Sequence, residues 1–291
     1  MRKRSAAGHS EELCKEKDER MKKPIVALMY DFDKTLSPKN MQDYGFMKGL
    51  GVTSGEFWET CTKMTKENQM DSILAYMYLM LEKGRGKFLL RREEFQKLGR
   101  SVKLFPGVTT WFDRMNEYCE EKGLVCEHYL LSSGLKEIIE GTEIAGKFKE
   151  IYAAEFLYDE KGVAIWPAMA VNYTSKTQFL YRINKGILDV TEQKELNRFV
   201  PDDERRVPFR NMVYFGDGDT DVPCMKLTKL NGGHSIVVYQ KDKEEAERLI
   251  NENRANFAFK ANYSKGSALE KAVKAVIDEI ATTEVLKRME K

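Results

Sequence analysis

Acidic side chains placed at the ends of apolar runs are what could do chemistry in this 291-residue chain. Asp31 and Asp33 follow the apolar run Ile25-Val-Ala-Leu-Met-Tyr30 at once, and Asp217 and Asp221 follow Met212-Val-Tyr-Phe215 in Gly216-Asp-Gly-Asp-Thr-Asp221. Ser132 closes a third run, Leu124–Leu131, and Lys176 opens a helical pattern after Thr174-Ser175. Singly, each has an ordinary reading as a turn residue, a helix cap or a solvated charge. Together they are a set. Four converging carboxylates repel one another unless a cation neutralises them. Oxygen donors without His or Cys select a hard ion, most plausibly Mg²⁺. Ser132 and Lys176 add a hydroxyl and a positive charge for an anionic substrate, and the helix expected after Gly134 adds backbone N–H groups. A carboxylate facing a phosphoryl group can attack it to give an aspartyl-phosphate. A second carboxylate two residues on can protonate the leaving alkoxide and then activate water.

The elements that must bring these residues together are legible from periodicity. The apolar runs suit buried parallel strands, whose carboxyl ends converge on one crevice in an open α/β sheet. Helical spacing follows at Met41–Leu50, at Phe57, Cys61 and Met64, over Ile73–Leu81, and at Phe95, Leu98 and Val102. A helix is expected from Val108 to Lys122, then the Leu124–Leu131 strand. Ile151–Leu157 and Val163–Trp166 form a hairpin around Asp159-Glu-Lys-Gly162. A further strand spans Ser235–Tyr239, a last helix starts near Ser267, and 188–210 is a charged surface excursion. A βα unit needs about 30 residues, yet about 100 separate Asp31 from Ser132. The surplus predicts an inserted helical cap at 40–100, over an α/β core of 23–39 and 101–291. Residues 1–22, charged and almost without apolar side chains, are expected to be disordered.

Composition narrows the partners. With 48 basic and 46 acidic residues the net charge is +2, which gives no support for nucleic acid or a membrane surface as partner. Five scattered cysteines and three histidines offer no zinc spacing, and free thiols suit a reducing compartment. No apolar run approaches the roughly 18–20 residues of a membrane span. The basic N-terminus lacks the apolar stretch of a secretion signal, so a cytoplasmic location is expected.

In Asp31-Phe-Asp33-Lys-Thr35, Tyr129-Leu-Leu-Ser132, Lys176 and Gly216-Asp217-Gly-Asp-Thr-Asp221, taken in that order, the chain resembles the haloacid dehalogenase superfamily of phosphohydrolases. The likeness covers about residues 24–280, and the helical insertion is similar to the cap of phosphoserine phosphatase. The resemblance implies a Rossmann-like core and Mg²⁺-dependent hydrolysis of a small phosphorylated metabolite. It also implies roles. Asp31 is nucleophile and metal ligand, and Asp33 is the general acid/base with its carbonyl on the metal. Ser132 binds phosphoryl oxygens, Lys176 braces the nucleophile and the phosphate, Asp217 binds the metal, and Asp221 binds it or orients a water or Lys176. Lys185 competes with Lys176, although it lies toward a helix C-terminus, where lysines cap carbonyls. Asp33 argues against dehalogenation, which has no alkoxide to protonate. A phosphotransferase and a non-catalytic module binding a phosphorylated ligand are the alternatives. Asn40, Gln42, Tyr44 and Arg85 are candidates to touch the leaving group.

Overall fold

The computed structural model describes residues 23–241 and 243–290, so the expectation for 1–22 lies outside the described residues. Seven strands form one sheet: β1 (Ile25–Tyr30), β2 (Val125–Leu135), β3 (Glu150–Tyr158), β4 (Ala164–Met169), β5 (Met212–Gly216), β6 (His234–Tyr239) and β7 (Phe257–Lys260). Their order is β4-β3-β2-β1-β5-β6-β7, parallel except for the β3–β4 hairpin. The α/β expectation is met.

β1 is central because both its faces are apolar. Val26, Leu28 and Tyr30 point into one core and Ala27 and Met29 into the other, all fully buried. Each of the larger apolar side chains among them contributes about 1.5–3 kcal/mol by leaving water. Tyr30 carries the only polar atom among them, and it is satisfied: Trp111 Nε1 donates to its hydroxyl at 2.9 Å, and that hydroxyl meets His128 Nδ1 at 3.1 Å. Burial accordingly pushes His128 down to about 4, so the imidazole is neutral in the core.

Between β1 and β2 the chain is helical: a 3₁₀ turn at Met41–Tyr44, then α1 (Phe46–Leu50), α2 (Ser54–Asn68), α3 (Ser72–Gly84) and α4 (Arg92–Gly99). Thr53 and Glu56 make a capping box at the start of α2, and Asp71 caps α3 by accepting from Ile73 and Leu74 N–H. The segment leaves and returns at one place, where Phe105 N–H donates to Leu36 O at 2.9 Å. Beyond it lie α5 (Val108–Glu121), α6 (Lys136–Glu140), α7 (Lys176–Lys185), α8 (Gln193–Asn197), α9 (Val222–Leu230), α10 (Glu244–Asn251) and α11 (Ala268–Met289). No helix of the described residues is long and apolar enough to cross a membrane.

Three local expectations are corrected. The helix expected over Met41–Leu50 is broken at Gly45. β2 runs on through Ser132 to Leu135, its register on β3 shifting after Leu131, so Ser132 lies within the strand's irregular end. The 188–210 excursion includes α8 and buries Val207 and Phe209.

The last helix of the insertion is fastened to the core backbone to backbone. A Cβ on Gly141 would fall 1.8 Å from Gln96 O in α4, and one on Gly99 2.1 Å from Ile138 O in α6. Arg92 then bridges Glu140 at 3.4 Å and Glu155 at 2.8 Å. Gly141→Ala is therefore expected to destabilise the fold by about 2–3 kcal/mol, because carbonyls cannot give way as a side chain can. Urea unfolding checks this; a loss below about 0.5 kcal/mol, the range of neutral surface changes, contradicts the close approach.

Candidate active site

The crevice at the carboxyl ends of β1, β2 and β5 collects the expected residues. Asp31 N–H donates to Phe215 O at 2.9 Å, continuing the β1–β5 pairing one step and fixing the first carboxylate. The chain then turns tightly: Thr35, Leu36 and Ser37 N–H all point at Phe32 O, and Lys34 takes a left-handed conformation at φ 59°. On β5, Gly216 admits the Asp221 carboxylate, since a Cβ there would lie 2.4 Å from Asp221 Oδ2.

Lys176 stands between two acids. Its fully buried Nζ donates to Asp31 Oδ1 at 2.7 Å and to Asp221 Oδ1 at 2.8 Å. Asp221 also accepts from Tyr214 OH on Oδ1 at 2.8 Å and from Asp217 N–H on Oδ2 at 3.1 Å. Its Oδ1 is thus filled by two donors, and one lone pair remains on Oδ2. Asp31 Oδ2 takes a long contact from Thr35 Oγ1 at 3.4 Å and lies clear of the lysine, which bonds Oδ1. Lys185 points elsewhere, donating to Leu196 O at 2.6 Å and Arg198 O at 2.7 Å, where it ties α8 to α7. The geometry therefore selects Lys176 over Lys185 as the lysine beside the acids.

Asp31, Asp217 and Asp221 each offer an oxygen within 4.8 Å of the others, a donor set that suits a hard divalent cation. The electrostatics agree. Burial pushes Asp31 up to about 6, opposed by Lys176 and reinforced by Asp221. Burial, then the charges of Asp221 and Asp31, push Asp217 up to about 8. A cation offsets that repulsion. Asp33 stands outside this trio: its Oδ1 accepts Met41 N–H at 2.8 Å, because the turn at Lys34 aims it toward the helical segment. Desolvation, then the charge of Asp31, hold the Asp33 carboxyl well above the usual carboxylate range. Ser132, 1% exposed, accepts Gly134 N–H on Oγ at 3.0 Å.

A haloacid dehalogenase-like hydrolase family model matches residues 28–226, a span that holds every one of these side chains. The chain belongs to this family. Within the haloacid dehalogenase-like hydrolases it is similar to an uncharacterized protein of Borreliella burgdorferi, 29% identical over 273 residues that cover 84% of this chain and 94% of the relative. Among solved structures it resembles a probable phosphoserine phosphatase from Vibrio cholerae (TM-score 0.55, 13% identity, 91% of this chain and 68% of that one). It also resembles a substrate-bound phosphoserine phosphatase (TM-score 0.53, 14% identity, 87% and 99%). At such identities these structures establish a shared fold, which is phosphoserine phosphatase-like.

In this family member a cleft of about 600 Å³ opens from Asp31, Asp33, Ser132 and Asp217 toward α2 and α3. Asn40 and Gln42 line it; Tyr44 and Arg85 do not. Tyr44 turns aside, its hydroxyl accepting from Ser37 Oγ at 3.0 Å and reaching Lys103 O at 3.5 Å. Sequence reasoning missed Tyr214, hidden in an apolar run, and the cleft residues Trp58 and Tyr76, whose helical spacing suits a core.

Proposed function

We propose that the protein hydrolyses a small phosphomonoester in two steps through an aspartyl-phosphate on Asp31. The observation that carries this reading is the position of Lys176 Nζ, in contact with Asp31 at 2.7 Å and Asp221 at 2.8 Å beneath the open cleft. A buried ammonium there holds Asp31 ionised and its free oxygen turned to the phosphoryl group. Ser132 Oγ donates to a phosphoryl oxygen, and Lys176 balances charge as the P–O bond lengthens.

Asp31 Oδ2 attacks phosphorus and the bond from phosphorus to the substrate oxygen breaks. Asp33, its carboxyl held above the usual range by its surroundings, gives a proton to the departing alkoxide. Water then attacks phosphorus, Asp33 takes the water's proton, and the bond to Asp31 breaks to release phosphate. Asp31 and Asp217 would hold a Mg²⁺ ion, with the Asp33 carbonyl and the remaining Asp221 lone pair in support. When bound, the ion supplies charge neutralisation and draws the phosphate toward Asp31.

Release of phosphate from an aryl phosphate is expected to need Mg²⁺, falling roughly 10³-fold in excess chelator, as expected when so large a charge term is lost. Asp217→Asn should raise the Mg²⁺ concentration needed for half-maximal rate more than about tenfold, since ligand loss exceeds the 10–100-fold of a supporting residue. A Mg²⁺ titration of both proteins checks this. Undiminished hydrolysis in chelator would contradict the reading.

A further inference from the structure

Met41 touches both halves of the proposed reaction centre. It is fully buried, and its backbone N–H donates to Asp33 Oδ1 at 2.8 Å. Its side chain reaches the other half: Sδ accepts Leu135 N–H at 3.1 Å, at the irregular end of β2. A thioether is a weak acceptor, so this contact needs a close seat. Gly134 provides one. A Cβ there would lie 2.0 Å from Met41 Cε and 2.7 Å from Sδ, so the glycine leaves the room that the methionine fills. Gly134 N–H in turn donates to Ser132 Oγ at 3.0 Å. Met41 therefore ties the carboxyl of Asp33 to the segment that carries Ser132.

A core role alone would not require these bonds. Leucine supplies nearly the same volume, but it would leave the buried Leu135 N–H without its acceptor. On the side of Asp33 the contact is directional. With Oδ1 taking the Met41 N–H, Oδ2 is the oxygen to meet a leaving group in the cleft, which Asp33 lines. We infer that Met41 is a positioning residue: its thioether, seated against Gly134 and bonded to Leu135 N–H, fixes the backbone N–H that orients Asp33 toward the leaving group. As the P–O bond breaks, the proton passes from Asp33 Oδ2 to the departing oxygen. Met41 changes no bond and acts only on the direction of the carboxyl.

This rests on the phosphatase reading with Asp33 as proton donor, and the experiment separates the two. In Mg²⁺, kcat/KM is measured for ethyl phosphate, whose alkoxide needs a proton, and for p-nitrophenyl phosphate, whose phenolate leaves without one. kcat/KM covers only the steps through phosphoryl transfer to Asp31, so the ratio of the two esters isolates proton donation. Asp33→Asn should lower the ratio of ethyl to p-nitrophenyl ester roughly 100-fold or more. Met41→Leu should lower it roughly tenfold, the effect of a misdirected group. Met41→Pro also removes the N–H. Asn40, at φ −63° and ψ 138°, already has the conformation a proline requires of the residue before it, and Met41 opens a 3₁₀ turn. That variant should fall most of the way to Asp33→Asn. Circular dichroism checks folding, and a mere loss of folded protein lowers both rates together without moving the ratio. If Met41→Pro does not fold, Met41→Leu decides. A parent-like ratio in Met41→Leu, or in folded Met41→Pro, beside a selective loss in Asp33→Asn overturns the inference while the phosphatase reading stands. A parent-like ratio in Asp33→Asn overturns Asp33 as the proton donor and the inference with it. No hydrolysis of either ester by the parent overturns the phosphatase reading and the inference together.

Discussion

Lys176→Met is expected to abolish turnover and to remove a large part of the fold's stability in the same step. Lys176 is wholly buried and bonds two acids, Asp31 and Asp221, that have no other cationic side chain in contact among the described residues. Those contacts raise its pKa despite the opposing effect of burial, so the ammonium is charged throughout the usable pH range. Methionine fits the space but leaves two buried carboxylates facing each other. Removing one partner of a buried pair costs about 3–5 kcal/mol. The loss in rate should be roughly 10³-fold or more, since the same change removes charge stabilisation where it develops. Urea unfolding and phosphate release from an aryl phosphate measure the two effects. A variant as stable as the parent would show that the lysine is solvated rather than locked between the acids.

Much of this site was legible because chemistry and architecture coincide in the chain. Asp31 follows six apolar residues and Asp217 follows a second such run, so the strand ends and the acids are marked together. The distance from Asp31 to Ser132 left room for helices, and Met41–Gly99 supplies them. What sequence could not show is orientation. Nothing in Asp31-Phe-Asp33 says that the second carboxylate accepts Met41 N–H and stands apart from the three-acid cluster. Lys176 and Lys185 sit at the two ends of one helix, and only packing decides that one meets Asp31 and the other meets Leu196 and Arg198 carbonyls.

Other features hid behind composition. Tyr214 belongs to a buried strand by every local signal, yet its hydroxyl helps fix Asp221. β7 has four residues, Phe257-Ala-Phe-Lys260, too few for alternation to register, and it pairs with β6 at the sheet's edge. Trp58 and Tyr76 have helical spacing that suits a small core, and one face of that core lines the cleft.

The second large effect is that of Asp31→Asn. The substitution keeps size and shape, and Asp221 still pairs with Lys176, so the fold should lose far less than in Lys176→Met. Rate should nevertheless fall roughly 10³-fold or more, because an amide cannot form the acyl-phosphate bond to phosphorus. The measurement that tests the account most directly is acid quenching during turnover of an aryl phosphate, with mass analysis of the peptide that carries residues 31–33. One phosphoryl group on Asp31 in the parent, absent from Asp31→Asn together with the activity, is the predicted result. Full activity in Asp31→Asn, or a phosphoryl group found only on another residue, would contradict the account.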